Sequence, residues 1–154
     1  MIRRAEPADA PAIARVLSEA FQQYEPRYTR AAFAATTPIA ETVRERLAEG
    51  PTWVALREGE IVGTVSAVVR HDGVYVRSMA VVPTARGHGI GRGLLLAVEA
   101  FAVQDGAPRL YLSTTPFLAE AISLYERSGF ERTKQPPHAL HGTPLYTMEK
   151  RLGG

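Results

Sequence analysis

Apolar positions along this chain follow two rhythms, one near every 3.6 residues and one of alternation or short continuous runs. Ile13, Val16, Leu17, Ala20 and Phe21 recur at helical spacing and share one face. Asp9 precedes them as a helix N-cap, with Pro11 in the first turn. Ile39, Val43 and Leu47 predict a second helix from Pro38 to Glu49, with Gly50 as its stop. Between these helices, residues 22–37 form a polar and aromatic stretch holding Tyr24, Tyr28 and Phe33. The strand rhythm begins with Ile2–Ala5 and resumes at Thr52–Arg57 and Ile61–Val69, joined by a hairpin turn at Glu58-Gly59. Asp72-Gly73 turns the chain again into Val74–Val82. A helix then runs to about Asp105-Gly106, and Leu110–Thr114 reads as a strand. Thr115-Pro116 predicts the cap of another helix, which carries Phe117, Ala121, Leu124 and Tyr125 and stops at Ser128-Gly129. Phe130–Thr133 and Leu145–Lys150 are the last strands, with an irregular loop over Pro136–Pro144.

The predicted order is β-α-α-β-β-β-α-β-α-β-β. Early strands meet as hairpins and later ones through helical crossovers. The fold class is therefore α/β (α+β), a mixed central sheet of six to seven strands flanked by about four helices. Residues 1–154 read as a single domain, large enough to bury a core without staples.

Composition narrows the function. The chain is 45% hydrophobic and 22% charged, as in soluble globular proteins. It has no cysteine, so neither a disulfide framework nor a cysteine nucleophile exists. No secretory signal or membrane-length apolar run is visible, so a cytoplasmic location with no membrane contact is expected. Net charge is +2, and the basic residues are scattered rather than gathered into a stripe, which argues against nucleic acid.

The strongest chemical signal is Arg86-Gly87-His88-Gly89-Ile90-Gly91-Arg92, which joins a predicted strand to a predicted helix. Such a turn lets backbone N–H groups converge on an anion, and the helix end adds unpaired donors and partial positive charge. Arg86 and Arg92 flank it and suit phosphate oxygens. A nucleoside-triphosphate loop would end in Gly-Lys-Ser/Thr, but Gly91-Arg92-Gly93-Leu94 has neither the lysine nor the hydroxyl. A dinucleotide fingerprint needs G-x-G-x-x-G, whereas glycines here fall at every second position.

Arg-x-x-Gly-x-Gly at Arg86, Gly89 and Gly91 resembles the acyl-CoA loop of the GNAT family of N-acetyltransferases. Three more stretches carry the resemblance across the chain: Ile2–Ala5 with Asp9–Ile13, Met79-Ala80-Val81 before Pro83, and Leu124-Tyr125 before Gly129-Phe130. It implies the GNAT acyl-CoA N-acyltransferase fold and transfer of an acetyl group from acetyl-CoA to an amine by direct attack on the thioester. It implies cofactor contacts at Met79, Ala80, Val81, Arg86, Gly87, His88, Gly89, Ile90, Gly91 and Arg92. The Met79 backbone N–H would face the thioester oxygen, and Tyr125 would protonate the departing thiolate. Leu118 stands where the family often has an Asn. By the same resemblance, residues 22–37 and 135–144 shape the acceptor site and offer Tyr24, Glu25, Tyr28 and His138. Glu25, Asp72, Glu120 and His138 are the candidates for a general base. The acceptor amine stays open, as does a homodimer, which is common in the family. His138 and His141 lack a third ligand, so no metal is expected. A non-catalytic acyl-CoA sensor on the same fold and a nucleotide-binding regulatory domain are the alternatives.

Without a loop lysine and a hydroxyl for Mg²⁺, Mg·ATP should bind far more weakly than acetyl-CoA. Calorimetric titration of both ligands checks this, and tighter Mg·ATP binding would refute the loop assignment.

Overall fold

The computed structural model describes residues 1–153. The elements are β1 (Ile2–Arg4), α1 (Ala10–Phe21), α2 (Arg30–Thr36), α3 (Ala40–Arg46), β2 (Thr52–Arg57), β3 (Glu60–Arg70), β4 (Gly73–Val81), α4 (Ile90–Gln104), β5 (Arg109–Thr114), α5 (Ala119–Arg127), β6 (Glu131–Arg132), β7 (His138–Leu140) and β8 (Thr143–Arg151). Short 3₁₀ turns precede α1, follow it, and link β4 to the glycine loop. One mixed sheet runs β1-β2-β3-β4-β5-β8-β6, with β7 added against β8. Among the described residues only β4 and β5 pair in parallel. Among the described residues no helix is long and apolar enough to cross a membrane.

Two apolar cores sandwich the sheet. Trp53, Val65, Val76, Leu94, Val98 and Leu110 pack under α4 and α5. Ile13, Val16, Leu17, Val43, Val54 and Ala80 pack under α1 and α3. Alternation along β2 divides its side chains between the two, as a two-residue period requires. Each fully buried aliphatic side chain contributes about 1.5–3 kcal/mol.

The mixed sheet agrees with the sequence pattern, but the element count is higher. Residues 22–37 hold a 3₁₀ turn (Gln22–Arg27) and α2, which the pattern did not signal. The N-cap of α2 is Thr29, whose hydroxyl accepts from the Ala32 N–H at 3.1 Å. The supposed irregular loop contains β7, which forms a hairpin with β8 through a turn at His141-Gly142. Both turn residues have positive φ, 46° and 89°. The last crossover helix starts at Ala119, so Thr115-Pro116 lies in the connection and Leu118 is the cap residue. Asp9 is the N-cap residue of α1, as expected, but its side chain makes no cap bond to that helix. Its carboxylate turns back to accept from the Glu6 N–H at 2.7 Å and pairs with Arg3 at 2.8 Å. The Arg3 hydrogen bonds hold the Asp9 carboxyl below the usual range, against the opposing effect of burial.

Gly50 also has a different role from the one its position suggested. The second predicted helix ends at Arg46, and Gly50 instead lies flush against β3. A Cβ there would stand 2.1 Å from the Ala67 carbonyl oxygen. Gly50→Ala should therefore force β2 from β3 and cost about 2 kcal/mol, as overpacking does. Thermal or urea unfolding of the variant measures this, and an unchanged midpoint would refute the close approach.

Candidate active site

β4 and β5 pair at Val74–Leu110 and Tyr75–Tyr111 and then part. β4 continues to Val81, and β5 to Thr114. The outer edges of both strands remain paired, β4 with β3 and β5 with β8. Only the inner edges open, leaving backbone donors and acceptors unpaired in a V-shaped gap. A bulge shapes the β4 side. Between the pairs Ser66–Arg77 and Thr64–Ala80, two residues, Ser78 and Met79, stand opposite Val65 alone. Ser78 takes a left-handed backbone at φ 56°, unusual for a side chain other than glycine. Bulges of this kind bend a strand and re-aim its groups.

The glycine loop lies at the end of this gap. Gly87 and Gly89 have φ of 86° and 74°, which glycine adopts without penalty. A Cβ at Gly89 would meet no protein atom, so that face of the loop is open. Among the described residues, the N–H groups of Gly87 through Arg92 donate to no backbone carbonyl; the first bond of α4 is Gly93 N–H to Gly89 O, at 3.0 Å. Six successive donors at the start of a fifteen-residue helix make a cradle for an anion.

The remaining glycines act differently. A Cβ at Gly91 would lie 2.8 Å from Leu124 and 3.2 Å from Met79, so Gly91 lets α4 approach α5 and β4 closely. The Arg86 side chain does not face the loop. Its guanidinium donates to the carbonyls of Val81 and Ala20, both at 3.2 Å, and so ties the end of β4 to the end of α1. The expected pairing of this guanidinium with phosphate is thereby replaced by a structural role. Arg92 lines a shallow cleft of about 250 Å³ between α4 and α5, together with Arg127, Ser128 and Lys150.

Tyr125 reaches the gap from α5. It is 7% exposed and packs against Phe130 at 5.9 Å between ring centroids. Burial drives its phenol far above the ordinary tyrosine range, and the nearby Tyr28 and Tyr75 phenols add to the effect. It remains a protonated hydroxyl through neutral pH.

An aromatic wall closes one side of the gap. Phe117 lies 4.9 Å from Tyr28, edge to face, and 6.0 Å from Tyr24. Phe33 follows at 6.1 Å from Tyr28. The Tyr28 phenol is raised by burial, partly opposed by the Thr115 and Thr36 hydroxyls. His138, on β7, is exposed and stands 3.3 Å from Ser113. Glu25 is exposed on the 3₁₀ turn.

Two candidate bases are otherwise engaged. Asp72 accepts from Tyr111 at 2.9 Å and Arg109 at 3.1 Å, which lower its pKa. Glu120 faces Arg86 at 3.7 Å and is 75% exposed. The described residues contain no cluster of three metal-ligating side chains. The sequence pointed to Tyr24, Tyr28, Met79 and Tyr125; beside them the structure places Phe117 and Tyr75, and Arg77 follows Tyr75 on the same face of β4. Phe117 was absorbed into a helical period. The opposite parity of Tyr75 and Arg77 to Val74 and Val76 was the available signal.

The Acetyltransferase (GNAT) family model matches residues 11–130. The chain belongs to this family. A relative from Escherichia coli (strain K12), the uncharacterized N-acetyltransferase YjgM, is 34% identical over 136 residues, spanning 85% of this chain and 81% of the relative. The PaiA N-acetyltransferase of Thermoplasma acidophilum, solved in complex with coenzyme A, superposes with a TM-score of 0.84 over 99% of this chain and 98% of its own, at 16% identity. YncA of Salmonella typhimurium, solved with acetyl-CoA, gives 0.77 over 100% and 94%, at 24% identity. At such identities these two superpositions speak for the fold. The mixed sheet with its parting strands is thus the architecture of GNAT acetyltransferases, and this chain is an acetyltransferase of that family.

If the Gly87–Arg92 donors of this GNAT enzyme hold a diphosphate, Gly89→Ala places a methyl group in the cradle. Acetyl-CoA affinity should fall at least about ten-fold, the worth of one charge-assisted hydrogen bond. Stability should fall by about 1 kcal/mol, because alanine resists positive φ. Binding of acetyl-pantetheine, which has no diphosphate, should not change. Calorimetry with both thioesters reads the difference, and equal losses would refute the diphosphate assignment.

Proposed function

We propose that this enzyme moves an acetyl group from acetyl-CoA to a primary amine by direct attack of the amine on the thioester. The open inner edge of β4, running into six unpaired N–H groups at the start of α4, carries this reading. An extended pantetheine arm can lie along that edge as an added strand and use its amides as a β-strand would. The diphosphate then falls at the glycine loop, through the backbone of Gly87, His88, Gly89, Ile90, Gly91 and Arg92. Arg92 and Arg127, on the adjoining cleft, supply charge for the nucleotide end.

The thioester carbonyl comes beside the bulge, where the Met79 N–H can stabilise the oxygen as it becomes anionic. Met79 does this through its backbone, so its apolar side chain is free to pack toward Gly91. Ala80 and Val81 continue the same edge. The amine enters from the opposite side, past Tyr24, Tyr28 and Phe117, with His138 and Glu25 at the rim. Its proton passes to solvent, or to His138 or Glu25, the two candidate bases without an ion-pair partner among the described residues; His138 stands 3.3 Å from Ser113 of β5.

Tyr125 serves the leaving group. Burial keeps the phenol protonated as the thiolate forms, so its hydroxyl can donate to the departing sulfur, while the same rise in pKa works against complete transfer of the proton. Tyr125→Phe should preserve the ring's packing and remove only the proton. Turnover should fall about 10²-fold, the low end for loss of a general acid, with acetyl-CoA affinity unchanged. Thiol release and calorimetry on the variant measure both. Wild-type turnover would remove Tyr125 from the chemistry.

The same group makes a pH prediction. Its folded pKa lies above the unfolded value of about 10. Below that value the phenol is neutral in both states and has no effect on the balance. As pH rises past it, the unfolded chain loses a proton that the native state keeps, so stability falls. The fall in unfolding free energy above about pH 10 should be smaller in Tyr125→Phe than in wild type. Equal slopes in alkaline denaturation would show that this phenol is not buried.

A further inference from the structure

Arg77 occupies a position that core packing does not explain. On β4, Val74 and Val76 enter the core beneath α4 and α5, while Tyr75 and Arg77 point to the other face. Tyr75 meets Tyr111 edge to face at 5.2 Å, in the last pair before the strands part. Arg77 is the next residue on that face, just beyond the parting and just before the Ser78–Met79 bulge. At strand rise it lies roughly 7 Å along β4 from Met79. Its side chain therefore emerges on the sheet face opposite α4 and α5, and its guanidinium reaches Glu49 after α3.

The charges there do not balance. Arg77 donates from Nη2 to Glu49 at 2.5 Å, but its Nε is buried and bonds to nothing. Arg46 stands beside it. Burial lowers the Arg46 pKa, the Arg77 charge lowers it further, and Glu49 opposes both. The Arg46 guanidinium is held by a neutral group, the Ala35 carbonyl at 3.2 Å. Two guanidiniums thus share one carboxylate, and that carboxylate is 51% exposed. The other acids near this face, Asp72 and Glu149, are both bound to Arg109. Arg70, 4.3 Å over the Tyr75 ring, has no carboxylate partner among the described residues either, so positive charge is in excess on this face. Ala35 lies at the end of α2 next to Thr36, which borders Tyr28, so α2 links the arginine pair to the phenols.

We propose that the acceptor carries a carboxylate as well as its amine, and that Arg77, with Arg46 behind it, receives that carboxylate. The assignment rests on reading the gap as the acetyl-transfer site. A carboxylate accepts paired bonds from a guanidinium fork and neutralises the surplus charge. A polyamine would meet that charge unfavourably, so the same pair selects against cationic acceptors lacking an acid group.

Two measurements test this. The first needs no acceptor: side-chain Nε–H signals of labelled arginines are followed by NMR while glutarate, or its uncharged diamide, is titrated into the acetyl-CoA-bound protein. Glutarate should shift the Arg77 and Arg46 signals saturably and the diamide should not. In Arg77→Gln the Arg46 shift should weaken at least about ten-fold in apparent affinity. The second is thiol release with matched acceptors, amino acids against their carboxamides. The wild type should prefer the acid member at least about ten-fold in kcat/KM, through KM, and Arg77→Gln should bring that ratio near one. Arg77→Lys, which keeps charge without the fork, should fall between. Absence of saturable glutarate shifts in protein that binds acetyl-CoA overturns the carboxylate site, as does equal or better use of the carboxamides. Failure to bind acetyl-CoA is a separate result and overturns the reading of the gap itself.

Discussion

The parting of β4 from β5 is the constraint on which the rest of this structure depends. Two parallel strands that separate after two residue pairs leave backbone groups without partners inside a folded protein. Such groups are costly unless something pairs with them. The surrounding structure holds the gap open. β3 and β8 fix the outer edges, α4 and α5 brace one face, and Arg86 ties the end of β4 to α1. The bulge at Ser78–Met79 is part of the same device, because it bends β4 where the partner strand leaves.

The glycines of the loop and of the first turns of α4 have separate physical roles. Gly87 and Gly89 supply the left-handed backbone of a loop whose six successive N–H groups have no backbone acceptor among the described residues. Gly91 and Gly93 are inside the helix, where glycine is normally unfavourable. They bring α4 against Leu124, Met79 and Ile2 so closely that an added Cβ would push the ends of those side chains aside. The anion cradle and the mouth of the gap are thereby held in register by packing.

The two faces of the gap are chemically different. The side under α4 and α5 is apolar apart from Tyr125, whose burial keeps its proton in place. The opposite side is aromatic and basic, built from Tyr24, Tyr28, Phe117, Tyr75 and the Arg46–Arg77 pair. In the proposed reaction the dry side would face the thioester and the polar side the amine that attacks it.

Short-range patterns determined much of this protein. Helical spacing in α1 and α4, strand runs in β2 to β5, and turns at Glu58-Gly59 and Asp72-Gly73 were legible because each element is decided by neighbours a few residues apart. The loop from Arg86 to Arg92 was legible because left-handed turns and close approach demand glycine. Tertiary structure decided the rest. Gly50 looked like a helix stop, yet it is required by a carbonyl seventeen positions away on β3. Arg86 looked like a phosphate ligand, yet its guanidinium is taken up by carbonyls of α1 and β4. Asp9 takes the N-cap position its pattern indicated, yet its carboxylate is turned to Arg3 and the Glu6 N–H rather than to the helix. α2 and β7 carry little periodicity of their own and form because Thr29 and β8 give them partners. A backbone donor or a charged side chain is satisfied by whatever the fold brings within reach, and that choice is made across the whole sheet rather than along the chain.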